Sequence, residues 1–304
     1  MAYGSPNSVE EVGDYLTDIR GGRKPTVEEV EHLKERYRRV GGKTPLLKIT
    51  NSQARALEDR LLSENIHAKV YVGMKHWHPL IQETVSVIIA ERASSILGVA
   101  LAPHYSRLGI GGYAGAVERA LGSVLGPPSF RMVRNWHDQP ALISAWSRRV
   151  REGLRKLPNP SNATVLFTAH SLPKRMVSED DPYQLQLSET CRLVAREAGL
   201  KTWDFAFQSA GTPREDWLGP HLPGKIADLA GSGVKEILVC PVGFVSDHLE
   251  ILYDLDVEAK EQARSLGARL ERTASLNDDP EFITSLVSVV RSNLAEAAEI
   301  RLGT

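Results

Sequence analysis

A histidine at the end of an apolar run is the first place in this chain where chemistry could sit. Residues 163–170 read Ala-Thr-Val-Leu-Phe-Thr-Ala-His and continue Ser171-Leu172-Pro173, so His170 falls at the C-terminal end of a candidate strand. An imidazole there can accept a proton near neutral pH or bind a metal through a ring nitrogen. It can equally be a strand-end group held for structural reasons. A second feature follows the run 236–244, where Glu250, Asp254 and Glu258 stand four residues apart. On a helix this spacing puts three carboxylates along one face. A row of like charges destabilises a helix unless cations visit it, and carboxylates with a nearby histidine suit a weakly held divalent first-row metal. The plainer alternative is a solvated acidic face, with Asp247 and Glu250 complementing the helix N-terminus. The loop Asp18-Ile19-Arg20-Gly21-Gly22-Arg23 carries two arginines that could clamp carboxylates with paired hydrogen bonds, or simply lie in solvent. A further run, Gly73-Met74-Lys75-His76-Trp77-His78, gathers a cation, imidazoles and an aromatic ring at another strand end.

These groups need elements to hold them. Short apolar runs alternate with segments of helical period, which predicts an α/β fold with parallel sheets covered by helices. The expected strands are 68–75, 96–103 and 130–136, then 163–170, 203–210, 236–244 and 268–273. Helices are expected at 52–62, 79–92, 140–157, 182–198, 247–266 and 280–300, and helix starts at Ser8 and Thr26, each with a glutamate three residues on. The turn-rich stretch 157–162 is the natural linker, giving two Rossmann-like domains, 1–157 and 158–304. The last helix is expected to pack back on the first domain. Residues 1–6 read as the end of a strand entering a turn, so the first strand looks truncated and a start upstream of Met1 is expected. In open sheets of this kind, ligands bind beyond the carboxyl ends of the strands, where His170 and the 245–258 segment fall.

Composition narrows the function. With 37 Lys and Arg against 38 Asp and Glu, the formal net charge of −1 provides no global basic field for nucleic acid. Two cysteines, Cys191 and Cys240, cannot supply the four thiolates of a zinc site or an iron–sulfur cluster, and they point to a reducing cytoplasm. The longest apolar stretch, 85–103, is interrupted by Glu91 and Arg92, so no membrane span is expected. Gly109-Ile110-Gly111-Gly112 lacks the spacing of a dinucleotide fingerprint.

The motifs His170-Ser171-Leu172-Pro173, Pro241-Val242-Gly243-Phe244-Val245-Ser246-Asp247-His248-Leu249-Glu250 and Gln208-Ser209 with Trp217-Leu218-Gly219-Pro220 closely resemble ferrochelatase. Met1-Ala2-Tyr3-Gly4-Ser5-Pro6, Arg36-Tyr37, Thr44-Pro45-Leu46 and Leu101-Ala102-Pro103-His104-Tyr105-Ser106 fit the same family in order and spacing. The resemblance covers essentially the whole chain and is strongest to the monoderm-type coproporphyrin branch, judged from Met-Ala-Tyr-Gly and Pro-Val-Gly-Phe-Val.

That resemblance implies two chelatase-type domains related by pseudo-twofold symmetry, with a porphyrin cleft between them. It implies Fe2+ insertion into coproporphyrin III to give coproheme. Protoporphyrin IX, another tetrapyrrole, or a non-catalytic porphyrin or heme carrier are the alternatives. His170 and Glu250 become the catalytic pair, and Asp254 and Glu258 extend a metal and proton relay to solvent. Tyr3 becomes the phenol on the opposite face. Arg20, Arg23, Arg36 and Lys75 become candidates for the substrate carboxylates, with Ser106 and Tyr113 as hydroxyl donors. Gly21 and Gly22 stand where an additional arginine can occur in the family. No tightly bound cofactor and no 2Fe–2S cluster is expected; the partners are a porphyrin and ferrous iron, and the enzyme is expected to be a cytoplasmic monomer.

Overall fold

The computed structural model of the chain describes residues 1–211 and 215–302. In chain order the first half builds α1 (Val12–Ile19), α2 (Val27–Arg39), α3 (Leu46–Ser63), α4 (Ile81–Ala90), β1 (Ser95–Gly98), α5 (Ile110–Leu121), β2 (Ser129–Met132) and α6 (Pro140–Leu154). The second half builds β3 (Thr164–His170), α7 (Tyr183–Ala198), β4 (Trp203–Gln208), α8 (Leu222–Gly231), β5 (Glu236–Cys240), α9 (Leu249–Leu252), α10 (Lys260–Ser265), β6 (Arg269–Arg272) and α11 (Pro280–Leu302). Its parallel sheet has the order β4-β3-β5-β6, and a smaller parallel pair, β1-β2, serves the first half. The α/β class with helix-covered parallel sheets is therefore the observed one. β3 and β5 are buried along almost their whole length, as central parallel strands covered on both faces must be.

The first half departs from expectation. Residues 68–75 do not form a strand; only Met74 makes β-bridges, to Ala2 and to Leu80. Thr26 and Glu29 do form a reciprocal capping box at α2, whereas Ser8 caps nothing: α1 starts at Val12 without a side-chain cap, and the Glu11 carboxylate accepts the Asn7 N–H at 2.7 Å. Two helices, α5 and α8, are not expected from the sequence, because glycines and a proline at their starts mask the periodicity.

The halves share a core. α6 lies before the linker in sequence yet packs on α7 and β5, while α11 returns to pack on α3 and α6. Fully buried Trp146, Phe167 and Phe282 belong to one apolar cluster with Leu57 and Leu61 of α3, and the Trp136 and Phe282 rings lie 5.9 Å apart. The linker is pinned as well, since the Asn159 N–H donates to the Glu236 carboxylate. Among the described residues no helix is long and apolar enough to cross a membrane.

Candidate active site

His170 stands at the C-terminal end of β3, in register with Gln208 at the end of β4. The segment after β5 crosses this end, and Gly243 is what lets it: a Cβ there would lie 2.5 Å from the Ala169 Cβ, while the Gly243 N–H donates to the Thr168 carbonyl at 3.1 Å. This close pass brings Glu250 to His170, with Nε2 3.4 Å from Oε1. Three further bonds fix the pair. The Tyr183 hydroxyl donates to the His170 carbonyl at 2.9 Å, the Gln208 amide donates to the Glu250 carbonyl at 3.0 Å, and His170 Nδ1 bonds the Ser171 carbonyl oxygen. A carbonyl only accepts, so Nδ1 carries the hydrogen and Nε2 is the atom turned to Glu250.

Electrostatics couple the two side chains. Burial favours the neutral ring of His170, but the charge and hydrogen bond of Glu250 outweigh it and raise the pKa to about 9. Burial likewise opposes ionisation of Glu250, yet His170 and, behind it, His248 at 3.6 Å hold its carboxyl well below the usual range. The pair rests as imidazolium and carboxylate at neutral pH.

Past Glu250 the expected continuous helix over 247–266 is broken. α9 ends after one turn, and Asp254–Ala259 form a π-helical turn before α10. Wide turns of this kind occur often at functional sites. Asp254 is buried, whereas Glu258 is exposed, so the acidic row runs from the interior to the surface. Burial first, and then Glu250, pushes Asp254 up to about 6 against the opposing pull of Arg36. Ser209, in the left-handed region at φ 57°, donates its hydroxyl to Asp254 at 2.5 Å. His170, Glu250, Asp254 and Glu258, expected together as metal ligands, do not converge: among the described residues no three His, Cys, Asp or Glu side chains form a metal-holding group.

Tyr3, near the start of the chain, lies within electrostatic reach of Glu250. It is 44% exposed, its ring lies 4.6 Å from that of His76, and His76 Nδ1 is 2.9 Å from the Asp18 carboxylate. Desolvation, then the Glu250 and Asp18 charges, holds the Tyr3 phenol above its ordinary value, so it stays neutral and lies within the field of Glu250. His76 belongs to the run 73–78 singled out for its imidazoles, and Asp18 to the glycine loop singled out for its arginines. Nothing local signals that the two meet, and only the fold shows them paired.

The carboxylate-clamp candidates separate. Arg36 is not open to substrate: its guanidinium is ion-paired with Asp254 and lies 4.9 Å over the Tyr253 ring. Arg20 is held by two 2.7 Å bonds to Glu29, the residue that also closes the α2 capping box. Arg23 is exposed and enters no ion pair among the described residues. Lys75 lies 5.4 Å over the Tyr113 ring, and burial, then Arg119, lowers its pKa. Tyr113 is buried beneath it. Ser106 is buried too, and its hydroxyl accepts the Gly109 N–H at 2.9 Å, a role at the start of α5 rather than in the open cleft.

Parallel sheets flanked by helices, with this strand order, are a fold shared with solved chelatases. The solved structure of SirB from Bacillus subtilis with Fe3+ shares it at a TM-score of 0.60 and 14% identity, over 83% of this chain and 92% of that one. The ferrochelatase family model matches residues 1–294. A ferrochelatase from Herpetosiphon aurantiacus is 45% identical over 293 residues, 95% of this chain and 96% of that protein. A coproporphyrin III ferrochelatase from Halalkalibacterium halodurans is 40% identical over 299 residues, 97% of this chain and 96% of that protein. The chain belongs to the ferrochelatase family, enzymes that insert metal into a porphyrin.

Proposed function

We propose that this ferrochelatase takes coproporphyrin III and Fe2+ and releases coproheme. The reading of the reaction rests on one observation, the His170–Glu250 pair at 3.4 Å at the end of β3. Insertion removes two pyrrole protons and adds one divalent ion, so the site must first accept protons and then pass them on. His170 Nε2 takes a pyrrole proton once its own has passed by way of Glu250 out of the pair. Asp254, at about 6, exchanges protons readily near neutral pH and hands them toward exposed Glu258. The same carboxylates attract incoming Fe2+. Tyr3, held neutral, offers its phenol oxygen to the opposite face of the ring.

The choice of coproporphyrin is supported by relatives of that name covering almost the whole chain. It is supported as well by the cationic groups Arg23 and Lys75, which suit a substrate with four carboxylates. Such a substrate dissolves without a membrane, and the same reading makes the enzyme a cytoplasmic monomer, which sedimentation at micromolar concentration checks. Anaerobic Fe2+ insertion, followed by absorbance with coproporphyrin III and protoporphyrin IX at matched concentration, tests the substrate. Faster coproheme formation is expected, and faster protoheme formation would overturn it. Porphyrin binding without insertion would favour the second class of protein, a carrier.

A further inference from the structure

Two cations meet on one face of α5. Lys75 is carried there by backbone bonds beside Tyr3, the Lys75 N–H donating to the Ala2 carbonyl and the His76 N–H to the Tyr3 carbonyl, each at 2.9 Å. Its ammonium stands 5.4 Å over the Tyr113 ring and fills the notch left by Gly112, where a Cβ would lie 2.5 Å from Nζ. That notch is in the first turn of α5, the positive end of the helix, where a cation is normally disfavoured. The second cation, Arg119, comes from the last turn of the same helix. Gly112, Gly115 and Arg119 share a face, and the guanidinium lies back over Gly115, with Nη1 3.2 Å from where a Cβ would be.

Nothing balances the two charges. Among the described residues neither cation enters an ion pair, and Lys75 Nζ finds only the Leu108 carbonyl, at 3.4 Å. Arg20, Arg36 and Arg148, by contrast, are each paired with a carboxylate. Burial first, and then the Arg119 charge, lowers the Lys75 pKa, as expected of a cation short of a counter-ion. A half-buried ammonium, a guanidinium and the positive end of a helix therefore converge, and each favours an anion. Their position says which anion. Tyr113 lies in the field of Tyr3, and Tyr3 in that of Glu250, so the two cations border the region of the His170–Glu250 pair.

We propose that Arg119 is a substrate-binding residue, which closes with Lys75 on one carboxylate of the tetrapyrrole, an assignment that rests on the reading of coproporphyrin III as substrate. Gly112 and Gly115 are the clearances that let the two cations lie down on α5 and face the same carboxylate.

The experiment measures Kd for metal-free coproporphyrin III and protoporphyrin IX by fluorescence titration, and kcat and KM for anaerobic Fe2+ insertion. The proteins are the 304-residue chain and its Arg119→Gln, Arg119→Lys and Gly112→Ala variants, with exposed Lys201→Gln as a control for net charge. Arg119→Gln is expected to weaken binding of the preferred porphyrin on the order of 10-fold, the worth of a charge-assisted hydrogen bond, with KM rising in step and kcat kept within about twofold. Arg119→Lys recovers part of the loss. Gly112→Ala keeps both charges but pushes the Lys75 ammonium from its notch, and it is expected to weaken binding several-fold; only the free end of Lys75 has to move, so the fold tolerates it. Binding by Arg119→Gln within twofold of the unaltered chain would overturn the proposal. So would an equal loss in Lys201→Gln, or a fall in kcat with KM unchanged. Inorganic phosphate that binds the unaltered chain and not Arg119→Gln, with porphyrin affinity the same in both, would give the site to a free anion and overturn it too. A preference for protoporphyrin IX overturns the substrate reading alone, since Arg119→Gln is then read on that porphyrin's carboxylates; a chain that binds neither porphyrin overturns both.

Discussion

At the scale of single residues, the account turns on the coupling between His170 and Glu250. Replacing Glu250 by Gln removes the charge that holds His170 at about 9 and leaves burial, which favours the neutral ring, so the imidazole is expected to titrate well below 9. Histidine NMR shifts against pH would show it, and a midpoint still near 9 would contradict the coupling. Insertion by this variant should fall on the order of 100-fold or more, the usual worth of a positioned acid or base. The sign of the pH dependence follows. His170 must be free at Nε2 to take a pyrrole proton, so kcat/KM rises with pH until the pair has lost its proton. Stability moves the other way: the contribution of protonated His170 is full below pH 6.5 and is lost as pH rises through about 9, while that of ionised Glu250 is full above its ordinary 4.5 and is lost as pH falls through its depressed value. Both midpoints belong to the pair rather than to either group alone. The pair was legible only through the motifs that resemble ferrochelatase, since the residues alone left open that His170 is a strand-end group and Glu250 part of a solvated face. The Arg36–Asp254 contact was not, because the two residues are 218 positions apart and nothing local in either segment signals the other.

At the scale of elements, the segment after β5 and the π-helical turn do the positioning. A methyl at Gly243 has no room against Ala169, so Gly243→Ala must push the segment off β3, with an expected loss of about 1–3 kcal/mol. Because that shift also separates Glu250 from His170, insertion should fall further than the melting temperature alone would explain. Denaturant unfolding measured beside the insertion rate separates the two effects, and normal insertion with normal stability would refute the packing argument. Arg36→Ala leaves Asp254 buried without its cation and raises a carboxyl already at about 6. Asp254 binds its proton more tightly folded than unfolded, so its folded form is penalised above that pKa. The destabilisation by Arg36→Ala is therefore greater at pH 8 than at pH 5, which melting curves at the two values test. Strand ends were easier to read in the sequence than helix interiors here. A regular helix over 247–266 is the natural expectation from its spacing; Asp254, at the start of the π-helical turn, is bound by Arg36 and Ser209, partners that periodicity does not report.

At the scale of the molecule, the two halves behave as one cooperative body. α6 covers the second sheet and α11 returns to the first half, so the core containing Trp146, Phe167 and Phe282 belongs to neither alone. Calorimetry should show one transition, and two separated transitions would contradict this shared core. Phe282→Ala should cost about 3–5 kcal/mol, since the ring is fully buried against Trp136. The exchange of helices between halves is invisible to periodicity, which reports that a face is apolar and not which neighbour covers it. The central claim is that the pair at the end of β3 carries out insertion rather than porphyrin capture. The measurement that tests it most directly is His170→Ala assayed twice, for anaerobic Fe2+ insertion and for porphyrin affinity. Loss of insertion with affinity largely kept is expected; insertion at the unaltered rate, or affinity lost in step with insertion, would overturn the catalytic role of the pair.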